Sequence, residues 1–229
     1  MPRKSLSKAM LACLFVVLAY LTMAAAWAWM VFDDAIASAP PAAGNPLSDW
    51  QTATLLHVED PTFHEHVGLS VAQGQGLATV SSAVARDLYL YHAKLEGTAG
   101  LLQRFYRGVF ECCKKVDLGR DVMALVVNAR LSKERQLAFY VSQIYMGTNE
   151  GRQIRGLEQA AASYLKKPLG QVTSREFIGL VASIKAPNHY HPGKNPAAHV
   201  ERTRRIEALV SRKCQPDGWF DTSYEQCGP

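Results

Sequence analysis

Glu59-Asp60-Pro61-Thr62-Phe63-His64-Glu65-His66-Val67-Gly68 sets two adjacent carboxylates before a proline, an aromatic, two histidines and a closing glycine. As residues alone, this is a carboxylate cluster in front of a turn. Glu59 stands beside apolar Val58 and near Phe63, surroundings that raise a carboxyl pKa and suit a general base. A solvated acidic loop has the same composition, so the side chains by themselves leave both readings open. His64 with His66, and His189 with His191, give H-x-H spacing. Two ligands are too few for a metal site, and surface histidines are the plainer reading.

Outward from this stretch the pattern is helical. Leu137, Tyr140, Val141, Ile144 and Tyr145 fall at i, i+3, i+4, i+7 and i+8, one apolar face. Phe177, Leu180, Val181 and Ile184 repeat it. Thr173 with Glu176 makes a capping box in front of that helix, and Pro187 stops it. The same patterning predicts helices over about 82–96, 98–113, 120–131, 155–166 and 197–212. No run of strand-like alternation competes, so the fold class is all-α, or mainly α. Tyr164 and Tyr190 read as core or groove walls. The sequence has no G-x-S-x-G, Walker loop, C-x-x-C or H-E-x-x-H.

The opening stretch resembles the first signature of the family 51 glycosyltransferases, E-D-x-x-F-x-x-H-x-G, with Glu59, Asp60, Phe63, His66 and Gly68 at its fixed positions. Later stretches follow in family order. Arg130-Leu131-Ser132-Lys133-Glu134-Arg135 with Tyr140, Tyr145 and Gly147 is similar to S-K-x-x-I-L-x-x-Y-L-N. Gly156 through Ala161 with Tyr164 and Lys166 is similar to G-x-x-A-A-x-x-Y-F-x-K. Tyr190, Pro192, Asn195-Pro196, Arg202 and Arg204-Arg205 resemble the closing Y-N-P … N-P … R-R.

The resemblance implies a lysozyme-like peptidoglycan glycosyltransferase domain that polymerises lipid II into glycan strands with inversion. It makes Glu59 the catalytic base, with Asp60 beside it. It assigns substrate contacts to Phe63, His66, Gly68, Thr79, Ser81, Arg86, Lys114, Lys115, Arg120 and Lys133. Its implied partners are lipid II, undecaprenyl-diphosphate-linked glycan, the membrane and other cell-wall synthesis proteins. A divalent cation (Mg or Mn) is the one cofactor it admits, with Glu59 or Asp60 as ligand and no firm site. Within 229 residues there is room for one such domain and none for a transpeptidase, so the expectation is a monofunctional enzyme.

Three departures stand out. The family's second signature, G-x-S-T-x-T-Q-Q-x-x-K-N, falls on residues 76–87, where Gly76, Thr79 and the Ser81 hydroxyl remain. Its Gln pair is Ser82-Ala83, its Lys is Arg86 and its Asn is Asp87. Only Leu69 to Gln75 separate the first two signatures, a stretch that is longer in the family. In the third signature Arg120 stands where a second Glu belongs, with Asp121 about 100° round the helix. Lys114 and Lys115 resemble the Arg-Lys pair of that signature, and residues 91–113 look like an insertion. These losses favour a second reading, an impaired relative that binds lipid-linked precursor or glycan and regulates cell-wall synthesis. A lytic enzyme on the same fold, with Glu59 as acid, is a third.

Arg3, Lys4 and Lys8 precede the first acid, Asp33, and leave 22 basic against 20 acidic residues in the remainder. The net charge of +5 is therefore no nucleic-acid signal. Ala9 to Phe32 carries no formal charge, and as a helix it would span roughly 36 Å, enough for a bilayer core. Basic residues before it and Asp33-Asp34 after it orient the N-terminus inward. Trp27 and Trp29 would then lie at the outer interface. Ala37-Ser38-Ala39 has the pattern of a signal cleavage site, but the apolar stretch is long for a signal core and Pro40 follows directly. The organisation read here is a cytoplasmic tail 1–8, an anchor 9–32, a Pro/Gly linker 33–49, a domain 50–213 and a tail 214–229. The expected home is a bacterial inner membrane, crossed once, with the domain in the periplasm. Cys214 and Cys227 flank the tail's Pro/Gly/aromatic stretch and are the disulfide candidate.

A C-terminal alkaline phosphatase fusion is expected to be active in cells. An inactive fusion, with a cytoplasm-only reporter working at the same position, would reverse the topology.

Overall fold

The computed structural model describes residues 3–41, 47–112 and 117–228, with side chains from Lys8 onward. Lys114 and Lys115 lie outside the described residues. Helix α1 (Arg3–Met30) contains a stretch, Lys8–Met30, long and apolar enough to cross a membrane. Past Val31 it resumes as α2 (Phe32–Ser38), so the expected linker is helical in its first part. Trp27 is buried against Tyr89 and Tyr106 rather than set in a lipid belt, and its Nε1–H finds an acceptor in the Ala99 carbonyl at 3.2 Å. Trp29 stays exposed beneath the Arg130 guanidinium.

Side-chain caps set the start of most of the next elements. Helix α3 (Asp49–Glu59) opens on a Ser48–Gln51 capping box, and α4 (Val80–Ala85) on a Thr79–Ser82 box. The second continues as a π-helical turn, Arg86–His92, and stops short of the expected residue 96. Helix α5 (Gly97–Cys112) fills the insertion. Asp117 caps α6 (Leu118–Arg130) and Ser132 caps α7 (Lys133–Gln143).

The apolar face expected to run through Tyr145 ends at Gln143. There the chain turns into an unanticipated antiparallel hairpin, β1 (Tyr145–Asn149) with β2 (Arg152–Arg155). Its turn, Glu150-Gly151, has positive φ at both residues, the geometry that matches strand twist. Helix α8 (Leu157–Ala160), extended by a π-helical turn Ala161–Leu165, follows. Helix α9 (Ser174–Ile184) starts at the expected Thr173–Glu176 box, and α10 (Pro196–Val210) has Asn195 as cap and proline at its first turn. In the core α4 packs on α6 and α7, α9 on α10 and α3, and α1 on α6.

After α10 the chain returns to the domain. Cys214 and Cys227 are joined, with Cα atoms 5.5 Å apart. The loop they close lays its backbone on the segment between the first two signatures: Gly74 N–H donates to Gly218 O and Gly76 N–H to Trp219 O. Tyr224, buried, directs its hydroxyl at the carbonyls of Val58 and Gly74, 3.1 and 3.0 Å away.

Replacing Cys214 and Cys227 together by serine is expected to cost about 3 kcal/mol of stability, the chain-entropy value for a loop of this size. Denaturant melts of oxidised, reduced and double-variant protein check this, and coincident melts would contradict it.

Candidate active site

The first signature is a fold device with one side chain left over for chemistry. Helix α3 ends at Glu59, and Asp60 breaks it with extended backbone (φ −160, ψ 74), so the two neighbouring carboxylates point to different places. Asp60 is fully buried. It takes the His66 Nε2–H, 3.0 Å from both its oxygens, and the Val80 N–H at 2.8 Å. His66 Nδ1 accepts from Gly68 N–H at 2.9 Å, which places the ring proton on Nε2. Gly68 has φ +122, and a Cβ there would lie 2.6 Å from the Ala124 carbonyl oxygen. Its own carbonyl accepts from Thr79 Oγ1 at 2.7 Å. The motif therefore ties the end of α3 to the start of α4 and onto α6.

Glu59 faces the other way, into a groove of about 370 Å³ between α3, α4, α7, the end of α9 and the C-terminal tail. Tyr140 Oη donates to its Oε2 at 3.1 Å, leaving Oε1 with no protein partner among the described residues. Burial pushes the Glu59 carboxyl above its usual range; Arg202, Tyr140 and Lys185 oppose that push without cancelling it. Lys185, the residue after α9, lines the same groove and has no carboxylate at ion-pair distance among the described residues. Burial holds its ammonium below the usual lysine range, with Glu59 opposing. The Arg202 guanidinium is buried and spent on backbone: Nε donates to Ala182 O and Nη1 to Thr222 O, both at 3.0 Å.

Of the expected contact residues, Glu59, Thr79 and Arg86 line the groove. Asp60, expected beside Glu59 as a catalytic group, does not: its oxygens accept from His66 and Val80, away from the groove. Phe63, His66, Gly68, Ser81, Arg120 and Lys133 are likewise outside the groove lining. Phe63 is core, with the Lys133 ammonium 4.5 Å above its ring, and Ser81 donates to buried Gln136 at 2.6 Å. Arg120 is buried and its guanidinium folds onto Asp121, at 2.6 Å, so these neighbours meet despite their angular separation on α6. Of the expected cations, Arg120 and Lys133 are thus outside the groove lining, and Lys114 and Lys115 are outside the described residues. Arg86 is in the groove, but Asp87 holds it in a fork at 2.7 and 2.9 Å. Lys185, which sequence reasoning missed, is the less encumbered cation. Its one sequence signal is a charge at the end of an otherwise apolar helix, just before Ala186-Pro187.

The expected divalent cation had Glu59 or Asp60 as its ligand, and the two carboxylates do not converge on one site. Asp60 is turned away, and no group of three His, Cys, Asp or Glu side chains gathers among the described residues.

The family model described as Transglycosylase matches residues 40–211. Penicillin-binding protein 1B of Escherichia coli (strain K12) is 28% identical over 176 residues, covering 76% of this chain and 20% of that protein. Penicillin-binding protein 1F of Bacillus subtilis is 27% identical over 174 residues, covering 75% and 23%. Penicillin-binding protein 1A of Pseudomonas aeruginosa is 29% identical over 154 residues, covering 66% and 18%. The chain thus spans about 20% of the length of such relatives. Matched by the family model from residue 40 to residue 211, well over half its length, and folded as a mainly helical, lysozyme-like domain, the chain belongs to the transglycosylase family.

Proposed function

We propose that the chain is a peptidoglycan glycosyltransferase that polymerises lipid II at the outer face of the cytoplasmic membrane, with Glu59 as base. One observation carries the reading. Among the described residues lining the groove Glu59 is the one acid, desolvated, held by Tyr140, and flanked by Lys185 and Arg202.

In this mechanism the carboxylate takes the proton of an acceptor sugar hydroxyl. The freed oxygen pair forms the new bond to the anomeric carbon of the donor. The bond from that carbon to the diphosphate breaks on the opposite face, which inverts the centre. The departing undecaprenyl diphosphate carries off the bonding pair, and Lys185 meets its charge. Arg86, with Nε and Nη2 held by Asp87, has Nη1 to offer to the same charge. Helix α1, with its N-terminus inside, would hold the groove where a polyprenyl-linked substrate lies.

A second reading, a relative that binds precursor without turnover, is favoured by two particular side chains. Ala83 presents a methyl group to the groove where the resemblance expects an amide. Arg120, in place of the second Glu, is sealed onto Asp121 outside it.

The raised Glu59 carboxyl sets two expectations. General-base catalysis requires the ionised form, so kcat/KM should fall on an acidic limb lying above the ordinary carboxylate range. Glu59→Gln should remove roughly 10²–10⁴-fold of rate, the span for a lost general base. Purified protein given labelled lipid II in detergent checks both; wild type and variant both inert, yet both binding precursor, would establish the second reading.

Stability should move the opposite way. The folded state holds its Glu59 proton more tightly than the unfolded state, so ionisation destabilises the fold as pH rises from about 4.5, the unfolded pKa, through the raised value. Glu59→Gln escapes that penalty, and it should melt above wild type at pH 8 with a gap that closes toward pH 4.5. A variant that melts lower at pH 8 would show that the carboxylate stabilises the groove instead.

A further inference from the structure

The apolar stretch of α1 is packed along only part of its length. Tyr20, Ala24, Trp27, Ala28, Val31 and Ala35 recur at three- and four-residue spacing and form the seam by which α1 and α2 dock on the domain. Residues 8–19 are exposed all round. At about 1.5 Å per residue that free part reaches only about 18 Å, short of a hydrocarbon core of about 30 Å. A span of about 20 residues counted from Lys8 ends near Trp27 or Ala28. Sliding the span inward would bring Arg3, Lys4 and Lys8 into hydrocarbon, which the cost of an intramembrane cation opposes. The docked residues from Tyr20 to about Ala28 therefore lie within the outer leaflet, and what is packed on them lies there too.

Those neighbours are α5 and the start of α6. The Phe105 and Tyr106 rings lie 6.3 and 5.8 Å from the Tyr20 ring, Tyr106 lies 5.0 Å from Trp27, and Gly119 packs under the Tyr20 hydroxyl. Helix α5 is amphipathic in a second sense. Its buried side carries Gly100, Gln103, Tyr106 and Phe110. At about 100° per residue, Thr98, Leu101, Phe105 and Gly108 make an uncharged stripe on its outer side, edged by Arg104 and Glu111. Leu101 is 59% exposed, Phe105 49% and Leu118 50%. In water such a patch is a liability; at the depth fixed by α1 it is matched to its surroundings.

We propose that α5 is an interfacial helix whose uncharged stripe, with Leu118, rests against the acyl chains of the outer leaflet, so that the domain is partly sunk in the bilayer beside its own anchor. The occupant is lipid because the anchor's length sets the depth. The inference rests on the anchor reading of α1, and its test separates the two.

Full-length protein, with Cys13, Cys112 and Cys113 changed to serine and the Cys214–Cys227 bridge kept, is spin-labelled singly through Leu101→Cys or Phe105→Cys. Leu14→Cys is the reference for lipid and Arg152→Cys for water. Each is placed in phosphatidylethanolamine–phosphatidylglycerol vesicles, and collision rates with oxygen and with a water-soluble nickel chelate are compared. Circular dichroism confirms folding of each, and the two α5 positions back one another up. The expected result is an oxygen-to-nickel ratio at 101 and 105 several-fold above that at 152 and toward that at 14. Ratios at 101 and 105 equal to 152, with 14 in lipid, overturn the interfacial helix and leave the anchor standing. A water-like ratio at 14 overturns both.

Discussion

Everything at the groove depends on the burial of one carboxylate that does not face it. Asp60, inaccessible to solvent, draws the His66 ring and the Val80 N–H onto itself, and so fixes where α3 stops and where α4 begins. Removing a buried anion's partners, or the anion, leaves an uncompensated polar group, which costs far more than the pair contributes net. The arrangement is therefore all or nothing, and its consequence is directional. With Asp60 committed inward, the preceding residue on the helix end is committed to the groove. The proximity of two acids in sequence produces one acid sealed inside and one that faces the groove.

The groove is then finished by residues that the family model does not cover. That match ends at residue 211, yet Thr222 and Tyr224 form part of the wall. Tyr224 reaches the carbonyl of Val58, the residue before Glu59, and Thr222 gives its carbonyl to Arg202, the strongest of the charges that lower the Glu59 pKa. The bridge between Cys214 and Cys227 returns this tail to the short segment 69–75, and the two together enclose what a longer segment would otherwise shape.

Much of this was legible in the sequence where one local rule governs. The Thr173–Glu176 box, the stop at Pro187 and the apolar faces of α7 and α9 follow from spacing, and the ordered signatures point to Glu59. What was illegible depended on tertiary partners. Nothing in the string Glu59-Asp60 says which acid is buried; that is decided by His66 and by the free N–H groups at the start of α4. Helix α3 escaped notice because Gln51 and Thr54, polar residues, are buried on its inner side and blur its apolar period. The hairpin escaped because β1 carries no alternation, and two positive-φ residues create it. Arg120 was placed by analogy with a substrate-facing acid, whereas an arginine beside Asp121 at a helix start finds its countercharge at once.

The same rule of local commitment holds in the second signature. Thr79 Oγ1 accepts from Ser82 N–H and donates to Gly68, Ser82 Oγ donates to the Thr79 carbonyl, and Ser81 is spent on Gln136. Each hydroxyl in this run closes a cap or a core contact, so none is left to meet a ligand. Ser82 is the reciprocal partner of Thr79 in the capping box of α4, the place that Gln51 takes opposite Ser48 in α3. The helix start set in this way is the element on which the Asp60 clamp closes, through the Val80 N–H. Glu59 keeps its place in the groove, with Ala83, Lys185 and the tail residues Thr222 and Tyr224 around it.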